Sequence, residues 1–339
     1  MSSVPYLRPL LDRGRPIWAM GAHDVISAKI VERAGFDAVG VQSLQLAMVN
    51  GVPDIGIIGP EELVRVCRKI RRAVSLPIVV DFEQGFGEPY TAVYWMKELE
   101  AAGVAAVHID DYGLPYKCPF IPPHVLGLED VDGTADKIRA MVGEKTNPEF
   151  MVIGRPGTYV AKIHETEEEL RADWLMRARA YADAGADALF AICWTVEHAR
   201  WFRSQVSGPL MTIRTIGTEI AADRVQYSAD IMGLSIDELY ELGYQMYIEP
   251  TTLLGVAANA MMDAAERVRA TGRSNTVAAE HGNLYEHLER WMDVAGVRRI
   301  RATYVRGAAA SGAGARDGES LVEIAEAARL ESPVGPGEQ

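Results

Sequence analysis

Eight short apolar runs recur along most of this chain. They are IWAMGAH (17–23), AVGVQS (38–43), PIVVDFE (77–83), AVHIDD (106–111), FMVIGRP (150–156), ALFAIC (188–193), PLMTIR (209–214) and YQMYIEP (244–250). Segments with helical spacing lie between them, such as DVISAKIVERAG (24–35), PEELVRVCRKIRRAV (60–74) and EEELRADWLMRARAYADAG (167–185), the first and last closing on glycine at a C-cap position. Runs this continuous, without polar alternation, suit strands covered on both faces in a parallel sheet. Eight strand–helix units in about 230 residues predict an α/β fold, a closed (β/α)8 TIM barrel, over an open sheet. No GxGxxG opens the first helix, which speaks against a doubly wound dinucleotide-binding domain.

The polar residues fall at one end of the runs: His23-Asp24, Gln42-Ser43, Asp81 with Glu83, Asp110-Asp111, Arg155, Cys193, Arg214 and Glu249. In a barrel these are the C-terminal strand ends, the rim on which active sites are built. After Gly272 the pattern changes. We expect a catalytic barrel over residues 1–272 and a C-terminal helical extension over 273–339. The extension comprises a helix-like stretch NLYEHLERWMDVAGV (283–297), a flexible Gly/Ala-rich linker (306–318), a second helical stretch SLVEIAEAARL (320–330) and a disordered tail.

Charge and cysteine content narrow the partners. A net charge of −13 over 339 residues argues against nucleic acid and against an anionic membrane, both of which require clustered Lys and Arg. A small anionic substrate is compatible, given local positive charge or a metal ion. Three widely spaced cysteines, Cys67, Cys118 and Cys193, make no disulfide framework and point to a reducing compartment. The N-terminal MSSVPYLRPLLDRGRP lacks a signal-peptide h-region, and no run reaches the roughly 18 apolar residues of a spanning helix, so a soluble cytoplasmic protein is expected.

VVDFEQGFG (79–87) ends an apolar run with two carboxylates one residue apart, then two glycines. In an extended strand Asp81 and Glu83 would share a face and repel. Such carboxylates either pair with a nearby Arg or cap a helix, or they share a cation. With Asp110 on the neighbouring run they favour an oxygen-ligated Mg2+, or Mn2+. No His/Cys spacing suggests zinc. The segment DDYGLPYKCPFIPPHVLG (110–127) is longer than an ordinary βα loop and reads as a lid. Within it Lys117 precedes Cys118; its charge would favour the thiolate and suit Cys118 to proton transfer, although a free Cys is as often a small buried hydrophobe. Arg155 can clamp a carboxylate or phosphate bidentately or pair with Asp81 or Asp110, and the two roles are compatible. Arg214 is a weaker example of the same kind. The turn Gln42-Ser43-Leu44 could present backbone N–H groups to an anionic oxygen.

Taken together, GAHDVISAKIVERAGFDAVGVQS, the Pro53-Asp54 pair, PIVVDFEQGFG, GVAAVHIDD, the Lys117-Cys118 loop, VIGRP and ARAYADAGADALF resemble the isocitrate lyase/phosphoenolpyruvate mutase superfamily over about residues 16–265. The most specific element is D-x-[DE]-x-G-[YF]-G at 81–87. The resemblance implies a barrel that holds Mg2+ on Asp81, Glu83 and Asp110, with Asp54 nearby, one carboxylate usually binding directly and the others through water. It also implies a 2-oxo or 2-hydroxy acid seated on the metal, on the backbone at Gln42, Ser43 and Leu44 and on Arg155, with Cys193 and Arg214 lining the pocket. It implies a homo-oligomer, tetramer or dimer, with C-terminal helices exchanged between subunits.

In lyase members the lid reads K-[KR]-C-G-H, its Cys serving as acid/base, whereas this chain has Tyr116-Lys117-Cys118-Pro119-Phe120. Further departures are Gln42-Ser43 for the usual Ser-Gly, Glu83 for Asp, Asp110 for the leading Glu of the acidic pair, and Cys193 where lyases place a Glu. The expectation is a Mg2+-dependent carbon–carbon lyase in which Cys118, Lys117 and Arg155 are catalytic. The alternatives are a phosphonopyruvate-type mutase or hydrolase, an oxaloacetate-type decarboxylase or hydrolase, and a barrel that binds a metabolite without turnover.

Overall fold

The computed structural model describes residues 5–113, 118, 127–161, 164–213, 229–280 and 284–304. Eight strands, β1 (Ile17–Gly21), β2 (Ala38–Val41), β3 (Ile78–Asp81), β4 (Ala106–Asp110), β5 (Met151–Arg155), β6 (Ala188–Phe190), β7 (Leu210–Ile213) and β8 (Met246–Glu249), close into a parallel barrel in chain order. Every expected run forms a strand. β1, β2, β6 and β7 end before the polar residue that closes the run, whereas β3, β4, β5 and β8 carry Asp81, Asp110, Arg155 and Glu249 as their last residues. The intervening helices begin and end where local chemistry dictates. Asp24 accepts from Ser27 N at 2.7 Å while Ser27 returns a bond to the Asp24 backbone, and Thr166 and Glu169 make the same reciprocal cap. Gly35 (φ 85°) and Gly185 (φ 94°) stop the helices Val25–Arg33 and Glu167–Asp183 in the left-handed conformation only glycine adopts freely.

Strand register fixes which side chains fill the barrel. A Cβ on Gly40 would come within 2.8 Å of Ile248 Cδ1, two strands away, so both face inward. Paired residues in a parallel ladder share a face. The pairs Gly40↔Val79, Asp81↔His108, Asp110↔Arg155 and His108↔Ile153 therefore send Asp81, His108, Asp110 and Arg155 into the barrel at its C-terminal mouth. Beneath them Ile153, Met211, Met246 and Ile248 pack as a dry plug. Full burial of each such side chain contributes about 1.5–3 kcal/mol, so the plug is a rigid floor for the site.

Backbone contacts divide the chain into two compact units, Met1–Val256 and Ala257–Gln339. In the second, the expected single helix-like stretch 283–297 is two helices, Leu284–Trp291 and Val294–Tyr304. Asp293 breaks it by accepting from Gly296 N at 2.9 Å, the bond of an N-cap, which starts a new helix in place of extending the old one. The linker, the stretch 320–330 and the tail lie outside the described residues. No described helix is long and apolar enough to cross a membrane.

Candidate active site at the barrel mouth

Asp81 and Glu83 do not come together by strand alternation. Strand β3 ends at Asp81, and Glu83 (φ 47°), Gly85 (φ 85°), Phe86 (φ 61°) and Gly87 (φ 149°) all hold positive φ. For the two non-glycine residues this costs about 1–2 kcal/mol each. The turn is held by Gly85 N donating to Phe82 O at 3.0 Å and by Phe82 packing edge-on to Phe86. It folds Glu83 back so that its N–H donates to Asp81 Oδ1 at 3.2 Å. Backbone strain at a cluster of like charges marks a conformation kept for something other than stability.

Around Asp81 the mouth gathers groups from five segments. Ser43 Oγ lies 3.4 Å from both Asp54 Oδ2 and Asp81 Oδ2. Arg155 Nη1 lies 3.9 Å from Asp81 Oδ2 and 4.0 Å from Asp110 Oδ2, its guanidinium over the Phe190 ring at 4.9 Å and the Tyr112 ring at 5.7 Å. His108 Nδ1 is 3.6 Å from Asp81 Oδ1. All of these polar groups are buried. One guanidinium thus faces Asp81 and Asp110 beside two further carboxylates, Asp54 and Glu83.

The electrostatics follow. Burial, then the charges of Asp81, Asp54 and Asp110, push the Glu83 carboxyl up to about 9. Burial and Asp81 raise Asp54 to about 6, against hydrogen bonds from Cys118 and Ser43. Asp110 is raised by burial and held back by Arg155, and burial pushes His108 down to about 4, keeping its imidazole neutral. A carboxyl whose folded value lies above its ordinary 4.5 keeps a proton the unfolded chain has lost. Its stabilising share is whole below pH 4.5 and is lost as pH rises towards 9. Glu83→Gln therefore raises the melting temperature of the metal-free protein by about 5 °C at pH 9 and leaves it unchanged at pH 4.5. Thermal melts in EDTA at the two pH values check this; equal shifts at both would refute it.

Cys118 enters the same mouth. Its N–H donates to Asp54 O at 2.9 Å, its side chain hydrogen-bonds the Asp54 carboxylate, and it is 5% exposed. Lys117 and Arg214 lie outside the described residues. Leu44 is half-buried in the helix Ser43–Val49, for which Gln42 is the N-cap. Cys193 is not with the cluster. Its thiol contacts the Tyr244 hydroxyl at 3.1 Å, which donates to Ala199 O in the helix Val196–Gln205, so it packs outside the barrel strands. Strand β6 ends at Phe190, so the chain has left the ladder by Cys193 and its thiol turns to Tyr244. Glu249 also faces outward, accepting from Tyr247 at 2.9 Å and Thr252 at 2.8 Å.

Two roles are not given by the sequence pattern, that of His108 and that of Asp111, which stands there only as one of a rim pair. His108 sits two residues before Asp110, a spacing that puts both on one face of β4, and that signal was available. Asp111, buried on the opposite face, accepts from Gly157 N (2.7 Å), Arg177 Nη1 (3.0 Å) and Tyr181 Oη (2.5 Å), while Arg177 also donates to Glu129 O at 2.9 Å. These bonds fix the backbone just after Arg155 and the chain that returns beside Tyr112. Nothing in the sequence pairs residues 111 and 177; only the packing of the helix Glu167–Asp183 on β5 and β6 does.

Residues 7–269 match the phosphoenolpyruvate phosphomutase family model. The chain belongs to this family, within the isocitrate lyase/phosphoenolpyruvate mutase superfamily. It is 32% identical over 268 residues to 2,3-dimethylmalate lyase of Eubacterium barkeri, covering 78% of this chain and 85% of that one. Among solved structures, phosphoenolpyruvate phosphomutase from Streptomyces platensis subsp. rosaceus superposes with a TM-score of 0.77 at 26% identity, over 88% of this chain and 98% of that one. A phosphonopyruvate hydrolase complexed with oxalate and Mg2+ superposes with a TM-score of 0.74 at 25% identity, with the same coverage. For a member of this family, a divergent mouth on a shared barrel is ordinary, since chemistry on this fold varies through its rim loops.

Proposed function

We propose that this family member is a Mg2+-dependent carbon–carbon lyase. It cleaves, or in reverse forms, a small 2-hydroxy di- or tricarboxylic acid through a pyruvate-like or glyoxylate-like 2-oxo acid. The observation that supports this best is the meeting of Asp54, Asp81, Glu83, Asp110, Arg155 and Cys118 in one buried mouth. Glu83 Oε2 has no hydrogen-bond donor among the described residues, although buried beside other carboxylates. A hard divalent cation relieves that arrangement, and the oxygen-only donor set suits Mg2+ or Mn2+.

Among the described residues no three His, Cys, Asp or Glu side chains converge as a chelate. Asp81, Glu83 and Asp110, with Asp54 beside them, would hold such an ion. Bound there, it would supply Lewis-acid polarisation of the 2-oxo group and offset the charge that develops on cleavage.

The chain's own groups do the rest. Arg155, stiffened between the Phe190 and Tyr112 rings, orients the substrate carboxylate. A carboxylate of the cluster takes the proton of the 2-hydroxyl as the carbonyl forms. Cys118 gives its proton to the carbon released, and takes one back in the condensing direction. His108, neutral, buttresses Asp81 from below. Burial keeps water from the carbanion. We place the protein in the cytoplasm on its free cysteines. We read it as a homo-oligomer on the exposed Val256, Met261 and Met262 of the helix Thr252–Thr271.

Incubation with Mg2+ and a panel of 2-hydroxy diacids and triacids, 2,3-dimethylmalate among them, releases a 2-oxo acid that EDTA suppresses. Inorganic phosphate released from phosphonopyruvate, read by phosphorus NMR without cleavage of any hydroxy acid, overturns the reading in favour of P–C hydrolysis.

A further inference from the structure

Two glutamine side chains at the mouth have no assigned work. Gln42 is 3% exposed and Gln45 fully buried, yet Gln42 Nε2 and both Gln45 Nε2 and Oε1 lack a hydrogen-bond partner among the described residues. A buried carboxamide left unpaired in a folded protein asks for a ligand, since burial without a partner opposes folding.

Their position is set by two glycines. Gly21 and Gly40 are register partners at the mouth ends of β1 and β2. A Cβ on Gly40 would stand 3.6 Å from Gln42 Nε2, and one on Gly21 would stand 2.7 Å from Gln45 Nε2 and collide with Pro250 O. Gln45 thus takes the space over Gly21, while over Gly40 Ile248 takes it, with Gln42 Nε2 in ordinary contact beside it. Ser43, between the two glutamines in sequence, reaches Asp81 Oδ2 at 3.4 Å, the oxygen that Arg155 Nη1 approaches at 3.9 Å from β5, so the two amides border the acidic cluster.

We infer that Gln42 and Gln45 bind the second carboxylate of the substrate, the one carried by the fragment that departs. This rests on the lyase reading above. In that cleavage the electron pair of the breaking carbon–carbon bond passes to the departing fragment. It is delocalised onto that fragment's carboxylate until the carbon takes a proton, while the 2-hydroxyl loses its proton and becomes the carbonyl of the other product. The carboxylate therefore gains charge in the transition state. Amide N–H donors held in place before the reaction stabilise such charge without adding a second cation to a mouth already occupied by Arg155. The class of substrate follows: a 2-hydroxy acid with a carboxylate on the adjoining carbon, whose far substituents meet apolar Ile248.

The test compares two probes on the full chain with Mg2+ by calorimetry. Oxalate mimics the 2-oxo acid product alone, and malate carries the second carboxylate. Gln45→Leu weakens malate by about tenfold or more relative to oxalate, whose affinity stays within about twofold. Gln45→Met, of similar length and without donors, does likewise and serves if the leucine variant misfolds. Equal weakening of both probes, or no change in their ratio, overturns the inference and leaves the lyase reading intact. Wild-type protein that binds neither probe with Mg2+ overturns both.

Discussion

Asp81→Asn is expected to lower turnover by about 10³-fold and to abolish the thermal stabilisation expected from Mg2+ in the wild-type protein. Lewis-acid stabilisation is worth several kcal/mol, and each 1.4 kcal/mol is a factor of ten in rate. Asp81 is the group on which the others converge. Ser43 Oγ, Arg155, His108 and the Glu83 N–H all lie within 4 Å of its carboxylate oxygens. Asparagine keeps the shape and the Glu83 contact, so the barrel folds and circular dichroism is unchanged. Arg155→Lys separates metal from substrate binding: Mg2+ still raises the melting temperature, but oxalate no longer adds to it, because a point charge cannot replace the planar fork. An Asp81→Asn protein that still responds to Mg2+ would place the ion elsewhere.

Cys118→Ser lowers kcat by about 10²- to 10⁴-fold, the usual worth of a positioned acid or base, and leaves the affinity for oxalate unchanged. The serine hydroxyl occupies the same space and still bonds the Asp54 carboxylate, but its proton is far harder to lose than a thiol's. The structure separates this cysteine from the other two. Cys67 and Cys193 are pushed up to about 12 by burial in apolar surroundings, Cys67 within a helix and Cys193 against Tyr244. Cys118 alone lies against a carboxylate of the cluster. Turnover within tenfold of wild type would move the acid/base role to another group, Asp54 first.

Most of the architecture was legible before any coordinates. Continuous Val/Ile runs, capped helices and polar run ends specify eight βα units and their functional face, because periodicity and capping are local properties. Which residues meet in the mouth was largely legible; how they face one another was not. Asp81, Glu83, Asp110, Arg155 and Cys118 all stood out as polar residues ending strands or lying in the long loop. Cys193 stood out for the same reason and belongs to another environment, since the residues after Phe190 leave the ladder and its thiol finds Tyr244.

The sequence by itself determined the order and type of the elements and the carboxylate-rich rim, because these depend on neighbours a few residues apart. Only the tertiary structure decided which side chains face one another. The positive φ at Glu83 that turns it back on Asp81, the Arg155 fork between Phe190 and Tyr112, the Arg177 brace on Asp111 and the two idle glutamines over Gly21 and Gly40 depend on strand register and ring closure. Register is a property of the whole barrel: slipping one strand by a single residue would turn its side chains to the other face and dissolve the site.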